Sequence, residues 1–222
     1  FGDTTRALAA SPNGATVYAA VFHSGNRTTT INEPSRNGFL ALPPPPPGGR
    51  TDGPSTGLIV KFSGGIWRDE LGRNWSSRVN FTLPDKDVFL IDADQNPPAA
   101  ASGTNFVTDV GTIIFNMAVR PGPSGGKVFV ANTDARNEVR FEPLITGHLA
   151  ESHLTVITGT TPAPVHINPH INFGVIREPR DQNEIDQSLA FPNDLIFSSD
   201  GQRLYVAAFG SGKVGIFNAA SL

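Results

Sequence analysis

His166-Ile-Asn-Pro-His170 places two imidazoles four positions apart. On a helix that spacing would turn both rings toward one metal ion. Pro169 and the apolar neighbours Val165, Ile167 and Ile171 predict an extended segment instead. Residues four apart on a strand share a face but lie about 13 Å from each other, too far to chelate one ion directly. His23, His148 and His153 could supplement either ring only through tertiary folding. A second candidate, Asp92-Ala-Asp94-Gln-Asn96, starts like a calcium loop. Pro97 then stands where an EF-hand needs Gly, and Gly103 where it needs the bidentate Glu. An EF-hand is excluded, while an isolated calcium held by side-chain and backbone oxygens stays open. Asp92, Asp94, His166 and His170 are the candidate metal ligands.

Signals for catalysis are thinner. The chain has no His-Glu-x-x-His and no cysteine. Gly210-Ser-Gly212-Lys-Val-Gly215 has the letters of a dinucleotide fingerprint, but Ile216-Phe217 continues as a strand where a helix must begin. Gly122-Pro-Ser-Gly-Gly-Lys127 fails the Walker spacing. No catalytic or cofactor-binding residue is assigned. Trp67 and Trp75, set among Gly, Ser and Arg, are candidate anchors for a partner, with the covering of an apolar sheet edge as the competing role. Asn26, Asn74 and Asn80 head formal N-glycosylation triplets, whose meaning depends on the source of the chain.

The elements that would position these groups are short. Of 222 residues, 23 are Gly and 19 Pro, which predicts many turns and argues against long helices. Seventeen basic against 20 acidic side chains give a formal charge of -3, with no basic field for nucleic acid. The apolar runs are strand-sized, so no membrane insertion is expected. Without cysteine there is no disulfide, thiolate nucleophile or cysteine-ligated metal. The start at Phe1-Gly2-Asp3 reads as a chain from which an upstream segment has been removed.

Internal similarity is the strongest feature. Leu8 to Phe22 aligns without a gap to Leu195 to Phe209, and Met117 to Asn132 is a third copy. Each copy reads as a strand, a turn at Gly14, Gly125 or Gly201, and a strand carrying Tyr18, Phe129 or Tyr205. A third strand follows, most clearly Val139-Arg-Phe141 and Val214-Gly-Ile-Phe217, with Asp87 to Asp92 as its displaced counterpart in the first copy. The copies are farther apart than the roughly 40–45 residues of a simple propeller blade, so insertions must absorb the difference. The longest runs from about Asn32 to Asp85, with Pro43 to Pro47 as a polyproline spacer and Gly57 to Trp67 as a small hairpin lying over a blade.

Ala9-Ala-Ser-Pro-Asn-Gly14, Phe197-Ser-Ser-Asp-Gly201 and Phe129-Val-Ala-Asn132 resemble the YVTN-type β-propeller repeat of bacterial, lactonase-like propellers. The resemblance covers the three repeat cores, under half of the chain. It implies an all-β fold, a partial β-propeller of antiparallel meander blades with a long inserted loop and hairpin region, in one domain over 1–222. Blade 1 would span about 5–105 including the insertion 32–85, blade 2 about 106–176, and an incomplete blade 3 about 189–222. The implied function is a non-catalytic propeller scaffold for protein binding or assembly, within a longer periplasmic or extracellular bacterial protein. Its partners would be the remaining blades of the same polypeptide or associated copies, plus a protein partner held through the insertion. One alternative is a lactonase-like metal-dependent hydrolase that gathers Glu33, Asp92, Asp134 and Glu142. Another is the propeller portion of a haem-containing electron-transfer protein, its haem external because Cys-x-x-Cys-His is absent. Calcium and external haem contact are the only cofactor expectations.

Overall fold

The computed structural model describes residues 4–31, 58–69, 72–122, 126–136, 150–172 and 181–222. Their strands, in chain order, are β1 (Thr5–Ala10), β2 (Thr16–Val21), β3 (Thr28–Ile31), β4 (Leu58–Ser63), β5 (Ile66–Arg68), β6 (Val88–Asp92), β7 (Ala99–Ala100) and β8 (Phe106–Val107). There follow β9 (Ile113–Val119), β10 (Lys127–Ala135), β11 (Ala150–Thr158), β12 (Thr161–His166), β13 (Pro192–Phe197), β14 (Arg203–Ala208) and β15 (Lys213–Asn218), with one short helix, α1 (Gln182–Gln187), before β13.

The strands fall into four separate antiparallel sheets. The first has the order β1-β2-β6-β7, with β8 also paired to β6; the second is β12-β11-β10-β9; the third is β13-β14-β15; the fourth, built from the insertion, is β3-β4-β5. The second sheet lies between the first and third. Its strand β10 is buried on both faces, which is why Val128-Phe-Val-Ala131 reads as an unbroken apolar run. Val128 and Val130 pack with Tyr18, Ala20 and Val88 of the first sheet. Phe129 and Ala131 pack with Leu195, Leu204 and Val206 of the third. Each fully buried Val, Leu or Phe among them contributes about 1.5–3 kcal/mol. The inserted sheet has its own small core of Ile31, Leu58, Val60 and Trp75.

The all-β expectation agrees with these sheets, but the partial propeller of blades does not. All four sheets are open, their strand numbers differ, and among the described residues no arrangement circularises them. The repeated letters specify a hairpin and its turn. In the first copy the Gly14 N–H donates to Ser11 O and the Thr16 N–H to Ser11 Oγ; in the last, the Gly201 N–H donates to Ser198 O and the Arg203 N–H to Ser198 Oγ, all at 2.9 Å. Gly14 and Gly201 have φ of +75° and +67°, the left-handed region where a side chain is disfavoured. These local bonds account for the similarity, whereas sheet closure depends on long-range contacts that the repeat does not encode. Gly125 and Val139 to Phe141 lie outside the described residues.

Without blades, the expectation that remaining blades of the polypeptide or associated copies complete a ring loses its basis, and so does a propeller scaffold for protein binding. The insertion is likewise no hairpin resting on a blade. It forms a three-stranded sheet in which Trp75 is fully buried and Trp67 packs against the core. Trp75 therefore presents no surface of its own, while Trp67 is half-buried. The described residues contain no helix long and apolar enough to cross a membrane.

Candidate functional site: the cleft beneath the inserted sheet

The turn from β2 into β3 holds three successive residues with positive φ: Gly25 (+83°), Asn26 (+44°) and Arg27 (+55°). Gly25 has a steric reason to be Gly, because an added Cβ would lie 3.0 Å from Leu83 Cβ. The two non-glycine residues cost of order 1–3 kcal/mol each in that region, and persist only where their surroundings hold them. Here the restraints are polar. Asn26 Nδ2 donates to Asp134 Oδ1 at 2.8 Å. Arg27 donates through Nε to Asp85 Oδ2 at 2.9 Å and through Nη2 to Asp109 Oδ2 at 3.0 Å.

Asp134, near the end of β10 and almost buried, also accepts from Lys61 Nζ of β4 at 2.6 Å and from Thr112 Oγ1 at 3.3 Å. One carboxylate thus fastens the inserted sheet and its entry turn to the central sheet. The connector 108–112 is the hub of this region. Val110 O accepts from Thr155 Oγ1 at 2.7 Å and Gly111 O from Ser24 Oγ at 2.8 Å, while the Val110 N–H donates to Asp87 Oδ2 at 2.5 Å.

Asp87 is completely buried, and burial pushes its carboxyl up to about 7. The Ser24 hydroxyl and the Val110 and Gly111 backbone oppose that rise, and the Asp85 charge adds to it.

Between the inserted sheet and the stack lies a cleft of about 330 Å³. Its floor is His23, Thr112, Ile113 and Ala135; its roof is Thr28 to Thr30 and Ile59; Gly25, Phe81 and Leu83 form the lip. Backbone pairing of His23 with Ile113 joins the first and second sheets at the floor. Thr29 Oγ1 donates to Phe81 O at 2.6 Å and so holds the lip, although the Phe81 ring is two-thirds exposed. Among the described residues no Asp, Glu, Lys or Arg lines the cleft; the charged groups described above stand behind its walls. Chemically it offers apolar surface, one imidazole and threonine hydroxyls that are partly committed to the backbone, a lining suited to a small neutral ligand.

The residues singled out by spacing lie elsewhere. His166 faces its cross-strand partner His153, ring centroids 5.6 Å apart, while His170 Nε2 meets Glu184 O at 3.2 Å. His153 Nε2 in turn meets Glu151 Oε2 at 3.0 Å. Asp92 Oδ1 accepts the Asp94 N–H at 3.0 Å and Asp92 Oδ2 accepts from Gln95 Nε2, a locally closed turn. Among the described residues no group of three or more His, Asp or Glu is arranged to hold a metal. Asp92 lies beside the Thr16 end of β2, at the far end of the sheets from Asp134. The gathering of carboxylates that a lactonase-like hydrolase requires is therefore absent for this pair, and Glu33 and Glu142 fall outside the described residues. The Trp75 indole N–H donates to Asp69 Oδ2 at 2.9 Å, and the Trp67 ring lies 5.4 Å from that of Phe62.

Spacing named His23 and Asp134 in other roles but missed that His23 and the Thr28-Thr-Thr30 run line one cleft, with Asp87 and Asp134 behind its walls. The available signal was the Gly25-Asn26 pair, which marks a turn, followed by an alternating threonine strand.

No family model matches the chain, so the YVTN-repeat resemblance finds no support there. No curated protein matches either. Among solved structures, the chain is similar to Kuenenia stuttgartiensis hydrazine synthase at 13% identity and a TM-score of 0.45, over 96% of this chain and 64% of that one. It thus spans under two thirds of the length of the structure it matches. The chain itself has no cysteine for c-type haem attachment, and the electron-transfer reading drawn from the propeller resemblance falls with it.

Proposed function

We propose that this chain is a binding module that seats a small, uncharged, mostly apolar molecule in the cleft beneath the inserted sheet. The observation that carries this reading is the strained turn 25–27 at the cleft edge, held by Asn26–Asp134 and Arg27–Asp85/Asp109 contacts. Strain maintained by a dedicated polar network is characteristic of pre-organised ligand sites. The lining supports the ligand class, because a charged ligand would be desolvated there without a counter-charge from the described walls. The imidazole of His23 and the hydroxyls at the roof would orient the ligand's few polar groups.

Ligand-observed NMR with a library of neutral fragments tests the reading, followed by amide shift mapping. Hits should perturb His23, Thr28 to Thr30 and Thr112, and Ala135→Leu, which fills the floor, should abolish them. Hits that map elsewhere, or that survive Ala135→Leu in a folded protein, would overturn it.

A further inference from the structure

At the opposite end of the third sheet, the repeat position that is buried in the first two copies comes to the surface. Tyr18 packs into the core between the first and second sheets, and Phe129 into the core between the second and third. Tyr205 faces outward and is half-buried. It stands in one cross-strand row between Ile196 and Ile216, which are 68% and 63% exposed. At strand spacings of about 4.8 Å this row is about 10 Å long. It borders a groove of about 420 Å³ that runs past Gln202, Arg203 and Asn218, and a further hollow of about 300 Å³ adjoins it.

The polar groups around the row are uncommitted. Among the described residues the Tyr205 hydroxyl, Arg203 guanidinium and Gln202 carboxamide make no hydrogen bond, and Asn218 uses its Oδ1 on the Ala220 N–H while its Nδ2 makes none. The Asp200 carboxylate is already occupied by Ser198 Oγ at 2.5 Å and the Gln202 N–H at 3.0 Å, and it sets a negative charge near Arg203. The groove therefore has balanced charge, planar donors and an apolar strip that continues along the last strand onto Val214.

From this geometry we propose that the groove over Tyr205 binds a neutral saccharide chain. A hexose is amphipathic on the same scale as the row: its C–H face packs on an aromatic ring while its equatorial hydroxyls project sideways to amides and guanidinium. Two linked rings match the length of the Ile196-Tyr205-Ile216 row, and displacement of loosely held surface water by the sugar's hydroxyls preserves the hydrogen bonds of the rim.

The test uses the whole chain and four probes: cellopentaose, xylopentaose, mannopentaose and chitopentaose, titrated by calorimetry. At least one should bind, and Tyr205→Ala should weaken it by about tenfold or more, in proportion to a lost stacking contact. Arg203→Ala combined with Asn218→Ala, both exposed, provides a second variant should Tyr205→Ala fold poorly. Ala135→Leu at the cleft should leave saccharide affinity unchanged, which keeps the two sites distinguishable. Failure of all four probes, affinity indifferent to the groove variants, or a dimer in light scattering that Tyr205→Ala dissociates would each overturn the proposal.

Discussion

Replacing Asp87 by Asn should make the stability of the protein less dependent on pH. Asp87 is fully buried beside Val110, and its carboxyl is raised from 3.8 to about 7, principally by burial. A carboxyl that holds its proton more tightly in the folded state stabilises that state most at low pH. The contribution is complete below about 4 and is lost as pH rises through about 7, at about 1.4 kcal/mol per pH unit. Across the full window the loss is on the order of 4 kcal/mol. Asn keeps the shape, can still accept the Val110 N–H and has no proton to lose. Urea unfolding followed by far-UV circular dichroism at pH 4.5, 5.5, 6.5 and 7.5 would read the difference between the two proteins, in which the titration of the other carboxylates largely cancels. The wild type should be the more stable, or equal, at pH 4.5, and Asp87→Asn should gain on it steadily to pH 7.5. Parallel pH profiles, differing by a constant, would refute the reasoning.

Two further substitutions test the restraints described above. Lys61→Met should destabilise the inserted sheet by about 1–3 kcal/mol, because Asp134 stays nearly buried with fewer donors, and Asp134→Asn in the same chain should recover part of the loss; hydrogen exchange at Thr28 to Ile31 and Leu58 to Lys61 reads it. Gly14→Ala should cost about 1 kcal/mol, since its added Cβ meets nothing, whereas Gly201→Ala should cost clearly more because its Cβ would lie 2.7 Å from Pro121 O; equal losses in urea melts would show that the turns are equivalent beyond their backbone.

The parts of the fold written in local chemistry were legible. Ser-x-Asn-Gly and Ser-x-Asp-Gly encode their own turn bonds, and the Val88 to Asp92 strand announces itself by branched and aromatic residues. Burial of β10 on both faces follows from its continuous apolar run. What the letters did not carry was the relation between sheets. Three similar hairpins suggested a ring, but similar hairpins can be stacked without closure. The metal-like patterns misled for a related reason: Asp92 and Asp94 are spaced to satisfy a turn, and His166 finds its neighbour across a strand at His153 rather than along the chain at His170. The cleft was hidden because its lining comes from five separate segments of ordinary residues, and only folding brings Thr30, Ile59, Phe81, Thr112 and Ala135 together.

Both tryptophans of the chain sit on or against the inserted sheet, one inside its core and one packed at its edge. Intrinsic tryptophan emission is consequently a private reporter of that small sheet, silent about the three-sheet stack that supplies most of the circular dichroism. Because the small sheet has its own core and is tied down by a few polar contacts, it is suited to open as a unit below the global transition. The two optical signals, recorded on one sample, would then separate along a denaturant axis, and a ligand held beneath the sheet would draw them together.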